Sequence, residues 1–301
     1  MIIFIEHGRL GNQLFQYAAL RSFAPDERLI LIGFDDLQAV FDNPNATILL
    51  SSRSLLFRFL KLLRLREGLN TWLPRLRIVT TLHEEKTDSG VEIRIRPGLF
   101  SFLKYAVTGF FQSETSFDSS VVSELRFRQE LQSKAAKTMQ KIRKQHSHVF
   151  FVHVRRGDYL SWPSRPAPAV LPATWYRECI DTLVGNDGSK SAFVFCTDDS
   201  FYVNDVFGND EKSFFISNGT AAEDFVLMSS CDGGVLSASS FAWWAGYFVN
   251  RKTGAARLLV PEFWAGHRNG EIYPPAIIAK HFVTVPVMRQ DSILRSLSDA
   301  Q

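Results

Sequence analysis

Six residues from 149 to 154, Val-Phe-Phe-Val-His-Val, are apolar, aromatic or β-branched almost without interruption, and they run straight into Arg155-Arg156-Gly157-Asp158-Tyr159. A run of that kind reads as a strand covered on both faces, which belongs in a parallel sheet flanked by helices. In open sheets of this type ligands collect beyond the carboxyl ends of the strands. Guanidinium groups delivered there need anionic partners, because burying them unpaired is expensive. A phosphorylated ligand meets that need. An exposed basic turn paired to local carboxylates meets it equally, and spacing alone does not separate the two.

The same alternation runs through the second half of the chain. Strands are expected at 149–154, 192–196, 214–216, 234–236 and 257–260, with helices at 174–183, 221–229 and from Ser239 onward, and a helix or turn at 200–207. Strands alternating with helices argue for βαβ units and an α/β fold. The first half opens on a short strand at 2–5, a glycine turn at 8–13 and a helical stretch at 14–20. Further strands are expected at 28–34 and 107–111, and a long helix at 123–144. A chain of 301 residues can hold two cores. No Gly- or Ser-rich linker marks a boundary, so alternation places it near Gln145 and gives domains 1–145 and 146–301.

Residues 53–77 differ in character. Leu55, Leu56, Phe59, Leu60, Leu62, Leu63 and Leu65 interleave with Arg53, Arg58, Lys61, Arg64 and Arg66; Arg75 and Arg77 follow, and Glu67 is the only acid. A basic amphipathic helix of this kind can lie on an anionic membrane surface, and an ordinary domain helix with a solvated basic face fits as well. No segment approaches the roughly 20 apolar residues needed to span a bilayer. The N-terminal apolar run lacks a basic leader, and Cys179, Cys196 and Cys231 form no Cys-x-x-Cys pair. Together these point to a cytoplasmic protein whose membrane contact, if any, is peripheral. A net charge of +3 with no dominant basic aromatic face disfavours a nucleic-acid partner.

Three stretches could carry chemistry. Gly8-Arg9-Leu10-Gly11-Asn12-Gln13 lies between a strand and a helix, where backbone N–H groups can face an anion; a purely structural turn is the alternative. Thr197-Asp198-Asp199 follows a strand, where an acid can accept hydrogen bonds from a ribose or base, or cap the following helix. Ser239-Ser240-Phe241 opens a helix after a strand and can offer hydroxyl and N–H groups to a phosphate, with Trp243 and Trp244 behind it as packing. Metals are not expected: there is no Asp-x-Asp triplet, and His146 and His148 lack further ligands nearby. Nor is there a Gly-x-Ser-x-Gly elbow or a P-loop.

Taken together, Gly8-Arg9-Leu10-Gly11-Asn12-Gln13-Leu14-Phe15-Gln16-Tyr17-Ala18, His153-Val154-Arg155-Arg156-Gly157-Asp158-Tyr159 and Ser239-Ser240-Phe241-Ala242-Trp243-Trp244 resemble glycosyltransferase family 11, the α-1,2-fucosyltransferases found among bacteria that decorate lipopolysaccharide. Gly109-Phe110-Phe111-Gln112-Ser113-Glu114 and Thr197-Asp198-Asp199 fall in register with two more of that family's motifs. The resemblance implies a GT-B-like fold of two Rossmann-like domains with parallel sheets facing across a cleft, an acceptor-side first domain and a donor-binding second. It implies metal-independent, inverting transfer of L-fucose from GDP-β-L-fucose to the 2-hydroxyl of a galactose-type glycan or lipid-linked oligosaccharide, with no cofactor. Arg155 would lie on the departing diphosphate, with Arg156 and His153 orienting that loop or touching the nucleotide as donor-binding residues. Ser239, Ser240 and Phe241 would hold phosphate oxygens, and Asp198 and Asp199 would face the guanosine. Arg9 and Asn12 would reach donor phosphates and sugar from the opposite domain. Asp158, beside the arginines, is the candidate general base, with a salt bridge as the alternative role; His7 and Glu114 are further candidates. Two positions depart from the family pattern, Ala238 for an amide and Ala242 for a hydroxyl. They leave room for another nucleotide sugar, and a GDP- or glycan-binding protein without turnover is the remaining alternative.

Overall fold

The computed structural model describes residues 1–287 except 88–89, 185–189 and 209–212. The chain divides into two compact units, Met1–Gln129 and Glu130–Gln301.

In the first unit β1 (Ile2–Ile5) leads into α1 (Leu10–Phe23), then β2 (Leu29–Ile32), α2 (Asp35–Val40) and β3 (Thr47–Leu49). Two helices follow, α3 (Leu55–Leu62) and α4 (Leu65–Leu76), where one basic amphipathic helix was expected. Arg64 between them sits at φ 50°, a left-handed turn that ends the first helix. Next come β4 (Val79–Thr87), β5 (Gly90–Arg96), β6 (Phe100–Ala106) and the short α5 (Ser119–Ser123). The six strands are ordered β3-β2-β1-β6-β4-β5. All neighbours pair in parallel except β4 and β5, an antiparallel hairpin on the edge.

Two expectations about this half do not hold. The strand anticipated at 107–111 is a loop, because Phe111 turns to φ 52° and the Glu84 carboxylate takes the N–H groups of Phe110 and Phe111 at 3.1 and 2.9 Å. Those donors are therefore not free to join a ladder. The long helix at 123–144 is broken: residues 126–128 run beside the end of α2, with Asp42 N–H bonded to the Arg126 carbonyl and Phe41 stacked on Phe127 at 5.1 Å. The helix resumes as α6 (Gln129–Ile142), whose Leu131, Ala135, Met139 and Ile142 form one buried stripe. That stripe belongs to the second unit, so the division falls ahead of this helix, not near Gln145 behind it.

The second unit continues with β7 (His148–Val154), α7 (Ala173–Val184), β8 (Ser191–Thr197), α8 (Ser200–Phe207), β9 (Ser213–Ile216), α9 (Ala221–Ser229), β10 (Gly233–Leu236), α10 (Ser240–Thr253), β11 (Arg257–Pro261) and β12 (Val283–Val285). Its sheet is parallel throughout, in the order β12-β11-β10-β7-β8-β9. The central β7 is buried from Val149 to Val154, as its uninterrupted apolar run requires. Trp175, Tyr176 and Ile180 of α7 pack with Val152, Val154 and Phe195 to form the core on one face.

In each sheet later strands fall on both sides of the first one. In the second unit β7, β8 and β9 run one way and β10, β11 and β12 the other, so the switch lies between β7 and β10. In the first it lies between β1 and β6. Crevices at such points are where open α/β sheets bind ligands.

Asp224, in the first turn of α9, is buried at 8% exposure and accepts a hydrogen bond from the Ser217 hydroxyl. Burial pushes its carboxyl up to about 6 from an ordinary 3.8. A raised carboxyl favours the folded state while protonated and loses that advantage as pH rises through the folded value. Asp224→Asn is therefore expected to leave stability unchanged below about pH 4. Its gain should grow to on the order of 2–3 kcal/mol above about pH 6, read as a denaturation midpoint at about pH 4 and about pH 8.

Candidate functional site

The second unit brings its three motif loops together through strand order. The Arg155 loop follows β7, the Asp198 loop follows β8 and the Ser239 loop follows β10, and these are three adjacent strands. His153 is in register with Leu236 of β10, and Val154 with Thr197 of β8. All three loops thus leave the same edge of the sheet, two of them flanking its switch point.

Arg155 is paired with Asp158 and, at 2.8 Å, with Asp198. Arg156 gives its Nε to Asp199 at 3.0 Å and its backbone N–H to Asp198 at 2.9 Å, and its guanidinium lies 3.5 Å over the Tyr202 ring. The Asp198 and Asp199 carboxylates are therefore counter-ions of the arginine loop. Asp199 is also the N-cap of α8, accepting the Tyr202 N–H at 3.0 Å; that bond, and then Arg156, hold its carboxyl below the usual range. Gly157 makes room for this arrangement: a Cβ there would stand 2.6 Å from Asp198 Oδ2. Asp158 is 57% exposed and is held by Arg155, so its carboxylate is engaged by the charge beside it.

His153 is buried, with Nδ1 2.6 Å from the Ser237 hydroxyl and its ring 5.5 Å from Phe241. Burial, and then Arg155, push its imidazole down to about 3, so it is neutral at physiological pH and serves to fix the strand end. Ser239 is the N-cap of α10 and accepts the Phe241 N–H at 3.3 Å. Ser240 and Phe241 are partly exposed on the first turn of this 14-residue helix, where unpaired N–H groups and the helix dipole favour an anion. Ala238 and Ala242 are buried at 1% and 0% exposure, so the two positions that depart from the expected pattern lie in the packing.

Sequence reasoning missed the residues that tie these loops to each other. The Tyr159 hydroxyl donates to the Ala238 carbonyl at 2.7 Å, locking the arginine loop to the start of α10, and Arg155 lies 5.5 Å from its ring. Tyr159, Trp162 and Tyr273 form an aromatic shelf with centroids 4.9 and 5.9 Å apart; Trp162 and Tyr273 stay partly exposed. Tyr159 stood in the motif, but nothing in its spacing gave the partner. Trp162 and Tyr273 carry no local signal at all.

The first unit repeats the pattern at its own switch point. Gly8 and Arg9 form the loop after β1, while Gly11, Asn12 and Gln13 lie in the first turn of α1, which begins at Leu10 and not after a turn at 8–13; the loop after β6 holds Gly109 to Ser113. Gln112 Nε2 donates to Asn12 Oδ1 at 2.7 Å, and Gln16 Nε2 bridges the His7 and Gly109 carbonyls. Gly8 takes φ 101°, and a Cβ on it would meet the Asn12 amide at 2.4 Å. Asn12 therefore holds the two loops together. Arg9 is exposed and lines a cavity of about 520 Å³ with Glu6, Asp36, Phe57, Arg58 and Lys61. Burial raises the carboxyls of both Glu6 and Asp36; neither was picked out in the sequence, since single acids at strand and helix ends carry no pattern. His7 stacks on Phe110 at 4.5 Å and Glu114 is half-buried after the second loop; neither lines this cavity. A larger cavity of about 680 Å³ lies between α6 and β9, and no motif residue lines it. Among the described residues no cluster of three His, Cys, Asp or Glu side chains is arranged to hold a metal ion.

The family model for glycosyl transferase family 11 matches residues 3–261. The chain belongs to glycosyl transferase family 11. Two Escherichia coli proteins, the O-antigen biosynthesis glycosyltransferase WbnK and an alpha-1,2-colitosyltransferase, are each 29% identical to it over 100 and 116 residues, covering 32% and 37% of this chain and 33% and 40% of their own. Galactoside alpha-(1,2)-fucosyltransferase 1 of Saimiri boliviensis boliviensis is 26% identical over 82% of this chain and 64% of its own. The chain thus matches a third to just under two thirds of these relatives' lengths. Among solved structures, fucosyltransferase NodZ from Bradyrhizobium superposes with TM-score 0.51 at 14% identity, covering 81% of this family 11 chain and 92% of NodZ. At that identity the likeness speaks for the fold alone, two α/β units of the GT-B-like kind.

Proposed function

We propose that the chain is an inverting glycosyltransferase that moves L-fucose from GDP-β-L-fucose to the 2-hydroxyl of a galactose-type acceptor, without a metal ion. The observation that carries this reading is that the loop of two arginines after β7 and the N-terminus of α10 after β10 leave adjacent strands at the switch point of one sheet. In such a transfer the acceptor oxygen bonds to C1 of the sugar and the C1–O bond to the diphosphate breaks. That bond's electron pair goes to the phosphate oxygen, and the acceptor proton passes to a base. Bond breaking runs ahead of attack through an oxocarbenium-like state, so stabilising the leaving group matters most. Arg155, Arg156 and the α10 N–H groups are the donors proposed for it, with the Trp162–Tyr273 shelf offered to the base or sugar. The first unit is proposed to take the acceptor at the cavity of Arg9, Glu6 and Asp36, whose carboxylates suit sugar hydroxyls.

Two relatives support the α-1,2 linkage by their names, alpha-1,2-colitosyltransferase and galactoside alpha-(1,2)-fucosyltransferase. The first of them also favours a second reading, in which the donor carries a sugar other than fucose. Buried Ala238 and Ala242 support the fucosyl reading, because those substitutions take no group from an open surface. A screen of labelled nucleotide sugars against galactosides in EDTA decides. Fucosyl transfer undiminished by EDTA is expected. Transfer of only another sugar, or a loss in EDTA that Mn²⁺ restores, would overturn the donor or the metal independence. GDP binding by calorimetry with no turnover on any acceptor would replace the enzyme by a binding protein.

Asp158 separates two roles. As a counter-ion it competes with the diphosphate for Arg155, and Asp158→Asn is expected to tighten GDP binding about fivefold, the worth of a mostly exposed ion pair. As a general base its loss would lower kcat by roughly 10²–10⁴-fold. Its engagement with Arg155 favours the first outcome. Calorimetry together with kcat distinguishes them.

A further inference from the structure

The α3–α4 hairpin is amphipathic with its faces reversed. Surface helices in globular proteins turn an apolar stripe inward, and most helical stability comes from packing that stripe. Here α4 has no buried residue, and α3 has only Phe57. Beside half-buried Leu69 and Leu73, polar bonds tie α4 to its unit: the Asn70 amide donates to Thr108 and accepts from the Tyr105 hydroxyl at 2.9 Å, and Arg66 Nη1 donates to the Glu6 carbonyl at 3.0 Å. Most of the hairpin's large apolar side chains are left outside. Leu55 and Leu62 are 82% and 80% exposed, and Phe59, Leu63, Trp72 and Leu76 are all exposed.

The exposed apolar surface continues past the hairpin. The Leu99 and Phe100 N–H groups bond to the Arg77 and Ile78 carbonyls, each at 2.8 Å, which seats this strand end beside the foot of α4. Leu99 and Phe102 there are 79% and 70% exposed. Arg53, Arg64, Arg75 and Arg77 are exposed around the hairpin, and Glu67 is the only acid within residues 53–77. An apolar patch this extended on a soluble face marks an interaction site. Its charge selects the occupant: a second copy would set the same basic surface against itself, while an anionic lipid surface complements it.

We propose that the α3–α4 hairpin is a docking surface for an anionic lipid bilayer, with its leucines and Trp72 inserted at the headgroup boundary and its arginines on lipid phosphates. Trp at that depth and cationic side chains around an apolar face are what an interfacial helix uses. The inner side of α3, at Phe57, Arg58 and Lys61, walls the cavity that holds Arg9, Glu6 and Asp36. Docking therefore brings that cavity to the lipid surface, where an acceptor carried on lipid would be met. The inference goes beyond the transfer reaction and stands whichever sugar the donor carries.

The test is co-sedimentation of the full chain with vesicles of phosphatidylcholine alone and of phosphatidylcholine with about a third phosphatidylglycerol. Expected is binding to the anionic vesicles only, falling steeply with salt, since each lysine or arginine near such a surface contributes a factor of about five. Leu55→Ser with Leu62→Ser and Trp72→Ser should weaken binding at least tenfold, and Arg64→Glu with Arg75→Glu should abolish it. GDP affinity and thermal midpoint serve as the check that these variants fold. Binding to neither vesicle, or to both equally, would overturn the proposal. So would a dimer in sedimentation velocity that the apolar triple variant dissolves, since the face would then belong to a second copy.

Discussion

Arg155→Ala is expected to slow transfer by about 10²–10³-fold, the usual loss when one well-placed donor to a developing negative charge is removed. The loss should fall mainly on kcat, because the charge on the diphosphate grows as the C1–O bond breaks. Arg155 suits this role because its side chain is only 18% exposed and is aimed by Asp198 and by the Tyr159 ring. Lysine in its place keeps a charge but loses the planar fork, so Arg155→Lys should recover only part of the rate. Removing the arginine also leaves Asp158 without its partner and takes one of two from Asp198, so the thermal midpoint must be followed alongside kcat. Full transfer by Arg155→Ala, with an unchanged product, would remove the basis for the proposed chemistry.

Trp243→Ala should be the most damaging single change to the second unit. Trp243 is completely buried, stacks on Tyr247 at 5.4 Å with 9° between planes, and meets Trp244 and Phe282 edge-on. Its Nε1 donates to the Ile277 carbonyl at 2.7 Å, holding the segment before β12. Truncating a buried tryptophan costs about 3–5 kcal/mol, and the carbonyl left unpaired adds about 1–3 kcal/mol. Against a total stability of about 5–15 kcal/mol this is a large fraction. The melting transition of this unit should drop by about 10 °C or more. Trp243→Phe, which keeps a ring but not the hydrogen bond, should cost about half as much. A fall of less than 2 kcal/mol in Trp243→Ala, measured by urea unfolding, would mean that α10 is anchored elsewhere.

Much of the second unit was legible because its strands announce themselves. Residues 149–154 and 192–196 are unbroken apolar runs of strand length, and the structure extends each by a residue or two. The first unit was harder to read. Gly90–Arg96 alternates apolar and polar residues from Val91 on, while Val79–Thr87 is mostly polar after Leu82, and neither was expected as a strand. The strand at Phe100–Ala106 was displaced in the reading toward 107–111, where Val, Phe and Phe look right but the N–H groups belong to Glu84. The break in the long helix was equally hidden, since Phe127 leaves it to stack on Phe41, which is distant in sequence.

By itself the sequence determined that a buried strand ends in Arg155 and Arg156, that a helix begins at the Ser239 cap, and that the Gly8 turn follows β1. These are local facts, set by side-chain period, capping hydroxyls and glycine's access to positive φ. Only the tertiary structure decided that β10, β7 and β8 are neighbours, so that three loops far apart in the chain share one edge. It alone decided which acid each arginine holds, and that Leu55, Leu62 and Leu76 face outward while Asn70 and Arg66 face in. Strand order and charge pairing join residues dozens of positions apart, and the periodicity of a single segment carries no record of its partner.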